Sequence, residues 1–151
     1  MNIRRWLYFV SLALALIGAL IAILGSWLVF QNQAQIQGSR VWPLPGLILL
    51  DWVLLGILGF LGALFSNKPN GSAWLKGIWF VVGALMPLVI LGALSIGLFV
   101  FISLLFILAA SVLITIQRKG KGLVHLALVI VGIICNLGLS LVFILANGLI
   151  G

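Results

Sequence analysis

From Gly77 to Ile116 the chain runs for 40 residues without a charged side chain. As a single α-helix this stretch would measure about 60 Å, twice the hydrocarbon thickness of a bilayer. It is therefore either one very long helix or two helices folded back on each other. Gly92, Ser95 and Gly97 offer a place to turn, since glycine tolerates the positive φ that a sharp reversal can require.

The cations decide between the two. With a hairpin near residue 95 the chain makes five crossings, and Arg4, Arg5, Lys68, Lys76, Arg118, Lys119 and Lys121 fall on one side with only Arg40 on the other. A four-span chain with one very long helix moves the last three cations across and leaves four against four. Cytoplasmic loops carry the excess of Lys and Arg, so five spans is the expected arrangement. The expected fold is an all-α, polytopic transmembrane helix bundle, with spans over 6–30, 46–66, 74–94, 97–117 and 123–147. These account for the chain as a single integral membrane domain. The N-terminus is expected in the cytoplasm and the C-terminus outside, in the plasma (inner) membrane.

Composition agrees with lipid as the main solvent. Hydrophobic residues make up 65% of the 151 positions and charged residues 6%, whereas soluble domains carry about 25% charged residues. The net charge of +7 does not indicate nucleic-acid binding, because the cations sit in short runs between apolar stretches rather than on one face interleaved with aromatics. The first span is expected to be a retained signal-anchor helix rather than a cleaved leader: its apolar run from Trp6 to Phe30 exceeds a signal-peptide core, and no A-x-A-like cleavage site follows it. The segment from Gln31 to Pro45 reads as a polar loop.

Lipid tails are as apolar as leucine, so helix association must draw on close backbone approach and interhelical hydrogen bonds. Three small-residue ridges suit that purpose: Gly18, Ala22 and Ser26 in the first span, Gly56, Gly59 and Gly62 in the second, and Gly132, Asn136 and Ser140 in the last.

Four positions stand out as intramembrane polar or hinge candidates. Asp51 is the only acid in the chain, and a carboxylate inside a bilayer is expensive. It lies six or seven residues into the second span, near the outer interface, where it could bind a cation or proton, pair with Arg40 of the preceding loop, or simply be solvated. Asn136 is expected at the centre of the last span, where its amide needs a partner on another helix. Pro87 removes a helix hydrogen bond to the Gly83 carbonyl and so is a candidate kink. Ser103, Ser111 and Thr115 can bond their own helix backbone. Trp42 and Trp52 suit the outer interface, where an indole buries its ring and keeps its N–H wet.

No catalytic, cofactor-binding or metal site is expected. One His (His125), one Cys (Cys135) and one acid in separate segments assemble neither a zinc site nor a catalytic constellation. The expectation is a non-enzymatic accessory or structural subunit, held in the lipid bilayer as a homo-oligomer or beside a larger membrane-protein partner. The alternative is a small transporter or solute-binding component for an apolar or weakly polar substrate, using Asp51, Arg40, Asn136 and Pro87.

Overall fold

The computed structural model describes residues 3–37, 44–69, 71–92, 96–118 and 122–150, so Arg40 and its pairing with Asp51 lie outside the described residues. Five helices follow in chain order: α1 (Ile3–Gln37), α2 (Leu44–Phe65), α3 (Gly71–Leu91), α4 (Gly97–Arg118) and α5 (Gly122–Ile150). All five are long and apolar enough to cross a membrane. In a bilayer each backbone polar group must be satisfied within its own segment, and helices of this length achieve that. Among the described residues there is no strand.

The 40-residue apolar stretch folds as a hairpin. α3 ends with the Gly92 amide donating to the Leu88 carbonyl at 2.9 Å, and α4 opens with the Gly97 amide donating to the Gly92 carbonyl at 2.5 Å. Glycine is needed here for close approach rather than for a positive φ. A Cβ on Gly97 would come within 2.9 Å of the Gly92 backbone, and one on Gly92 within 2.6 Å of the Ile96 side chain. At the other end of α3 the chain reverses through Ser66–Pro69, where the Lys68 amide donates to Phe65 and the Gly71 amide to Lys68. α1 continues two turns beyond its apolar run, so Gln31–Gln37 is helix rather than loop.

α2 touches all four other helices; α1 packs on α2 and α4, and α3 on α2, α4 and α5. α5 is peripheral, resting chiefly on α3 and lightly on α2. The three small-residue ridges are the buried faces of their helices. Ala22, Ser26, Asn136 and Ser140 are all buried, as are Gly18, Gly56, Gly59, Gly62 and Gly132. At the α3–α5 crossing backbone approaches backbone, because two glycines meet it from opposite sides. A Cβ on Gly83 would run into the Val129 carbonyl, and one on Gly132 into the Phe80 carbonyl. Between the seams the interior is filled by Trp52, Ile78, Val82, Leu85, Leu88, Val100, Ile107 and Ile114, all fully buried.

Trp52 departs from expectation. It is fully enclosed in the bundle instead of lying at the interface, and its Nε1 has no hydrogen-bond partner. The reason is Gly25: a Cβ there would come within 2.6 Å of the Trp52 ring, so the missing side chain on α1 creates the slot that the indole fills.

Candidate functional site

Asp51 of α2 and Asn136 of α5 come together. The Asn136 Nδ2 donates to Asp51 Oδ2 at 2.7 Å, and the Ser140 hydroxyl donates to Asn136 Oδ1 at 3.4 Å. Asn136 and Ser140 are buried, while Asp51 is half-buried. The three residues form a short polar chain across the α2–α5 seam. The Asn136 amide donates and the Asp51 carboxyl oxygen accepts.

Helix rise explains the meeting. Asp51 is fourteen positions from Phe65, and Asn136 is fourteen from Gly122, both termini at the end of the bundle that carries Arg4, Arg5 and Arg118. Equal numbers of residues give equal rises of about 21 Å. Asn136 is thus level with Asp51, nearer the far end of the bundle than its central place in α5 implies, because α5 at 29 residues overhangs α2 at 22.

Pro87 is buried within α3, which continues through it to Leu91. It stands one turn after Gly83, the glycine that admits α5, so the position that loses a backbone hydrogen bond adjoins the α3–α5 crossing. Pro87 is not joined to the Asp51–Asn136 pair by any hydrogen bond among the described residues.

Other polar side chains tie helices in the same manner. Ser103 of α4 donates to the Gly18 carbonyl of α1 at 2.8 Å, rather than back-bonding within its own helix. Ser26 donates to the Leu49 carbonyl of α2 at 3.3 Å, and Trp79 Nε1 to Thr115 at 2.9 Å. Ser111 and Thr115 do bond their own helix, to the carbonyls of Leu108 and Ser111. His125 stacks on Trp79 with ring centroids 5.3 Å apart.

Among the described residues, the surface cavities include two with contrasting linings. One, of about 690 Å³, is a groove between α1 and α2 lined by apolar side chains such as Ile23, Trp27, Phe30 and Leu49, with Ser26 the exception. The other, of about 380 Å³, has a mixed polar and apolar lining and lies at the basic end. Neither is lined by Asp51, Asn136 or Pro87. The second gathers arginines that in the sequence read only as orientation signals. The one hint in the sequence is a cation near a polar side chain at three segment ends: Arg5 near Tyr8, Lys68 beside Asn67 and Arg118 beside Gln117.

Five apolar spanning helices make this chain a multi-pass membrane protein in contact with lipid. No family model matches the chain, and no curated protein or solved structure matches it.

Proposed function

We propose that the chain is a non-catalytic accessory or structural component of a membrane assembly, built either with a larger membrane-protein partner or with further copies of itself. The observation that carries this reading is the use made of its polar groups. Asp51 and Asn136, the side chains a solute path would draw on, bond each other across a helix seam. Ser103 and Ser26 likewise join helices. Such bonds, with close glycine contacts, are what hold helices together where the hydrophobic effect gives no preference.

The outward surface supports the same reading. The side chains of Leu126, Ile130, Ile134, Leu137 and Leu141 on peripheral α5 all stand well exposed and apolar, available to lipid or to another helix. In this proposal the basic end faces the cytoplasm across the plasma (inner) membrane, following the distribution of Lys and Arg. The transporter alternative needs a path along Asp51, Asn136 and Pro87, whereas in this proposal Asp51 and Asn136 are engaged with each other as a helix tie.

Purification in mild detergent, with mass determination of everything retained, tests the proposal. A stoichiometric protein partner or a defined homo-oligomer is expected. A monomer carrying a bound small solute would favour transport instead.

A further inference from the structure

The cavity at the basic end has walls from three separate segments: Arg4, Arg5 and Tyr8 of α1, Ser66 and Asn67 after α2, and Gln117 and Arg118 at the end of α4. Its volume of about 380 Å³ is within the range of small-ligand sites. Three arginines line it, and the chain's one acidic side chain lies elsewhere. The single acid, Asp51, is about 21 Å away along α2 and bonded to Asn136.

The walls are held in place. Arg118 Nη2 donates to the Lys68 carbonyl at 3.1 Å, and Gly71 leaves the space its guanidinium occupies. A guanidinium has five N–H donors, so this bond leaves others for a ligand. Tyr8 donates to the Leu64 carbonyl and Ser66 to the Ala63 carbonyl, fixing the rim. The Gln117 Nε2, a hydrogen-bond donor, makes no hydrogen bond among the described residues. An amide N–H donates to a phosphate oxygen as readily as a guanidinium N–H does.

Depth distinguishes among anions. Exposed Trp6 and Trp74 flank the same end, and tryptophan at a helix end marks the headgroup level of a bilayer. We propose that this cavity binds the phosphodiester headgroup of an anionic phospholipid, with Arg4, Arg5 and Arg118 contributing charge and Gln117 a hydrogen bond. Basic pockets between spanning helices are suited to such headgroups, and free inorganic phosphate shares the same chemistry.

The test uses the purified full chain in mild detergent, mixed with equal amounts of phosphatidylglycerol and phosphatidylcholine, re-isolated and assayed for bound lipid by mass spectrometry. Phosphatidylglycerol should be enriched, and excess inorganic phosphate should leave the enrichment in place. Arg5→Gln and Arg118→Gln should each lower it about fivefold. Gln117→Glu, nearly isosteric, should lower it at least as much as either arginine variant by placing a competing carboxylate beside the arginines. Lys76→Gln removes a cation outside the cavity and should change nothing. Equal uptake of the two lipids by the unaltered chain would overturn the proposal. So would a Lys76→Gln loss as large as that of Arg118→Gln, which would indicate unspecific charge. Thermal stabilisation by inorganic phosphate without lipid enrichment would show a free-anion site and overturn the lipid assignment.

Discussion

Asp51 and Asn136 show how a bilayer changes the value of a single hydrogen bond. Each side chain alone would leave polar atoms facing hydrocarbon; together they satisfy one another and hold α5 to α2, helices that otherwise touch lightly. Asp51→Leu and Asn136→Leu should each lower stability by about 1 kcal/mol, measured by reversible unfolding in mixed micelles. The double variant should lose clearly less than the sum, since the two residues act through one contact. Asp51→Asn keeps an acceptor and should remain closer to the unaltered protein. Additive losses would show that the pair is not coupled. Both residues stand out in the sequence as costly polar groups, but their partnership does not. It depends on how far α5 overhangs α2, a tertiary fact that no residue pattern encodes. The burial of Trp52 is hidden for a similar reason: its slot is made by Gly25, on a different helix.

At the scale of helices, the usual guide to a buried face is missing. In water a core-facing stripe is apolar and its opposite polar, but here both sides are apolar, so periodicity of hydrophobicity says little about which face packs. What remains legible is the spacing of small and polar residues, and the ridges through Gly18, Gly56 and Gly132 are indeed buried. The α3–α5 crossing gives a sharp test, because Gly83 and Gly132 each face a carbonyl of the other helix. Gly83→Leu and Gly132→Leu should destabilise the protein by about 1–3 kcal/mol through forced separation of the helices. Gly138 lies on the same helix as Gly132, and a methyl group added there would meet nothing within 4 Å, so Gly138→Ala should cost nothing in the same unfolding measurement. Equal effects at positions 132 and 138 would mean that the glycine seam is not what holds α5.

At the scale of the whole molecule, the number of crossings underlies everything else. The hairpin at Gly92–Gly97 brings the end of α4 beside the start of α1 and the α2–α3 turn, and only then do Arg4, Arg5 and Arg118 border one cavity. Counting cations on each side of the membrane makes this hairpin legible before any contact is known; the cavity it creates is not, since a cation count ignores which helices are neighbours. The direct measurement is labelling of single cysteines by a membrane-impermeant maleimide in sealed vesicles, after replacing Cys135 with Ala. Pro69→Cys and Gly122→Cys report the two turns at the basic end, and Gly122 has open space around it for a side chain. Gln35→Cys, exposed near the end of α1, reports the opposite end. Five crossings predict that positions 69 and 122 label from the same side and position 35 from the other. Labelling of position 122 together with position 35 would mean four crossings, and would contradict both the bundle and the cavity at its basic end.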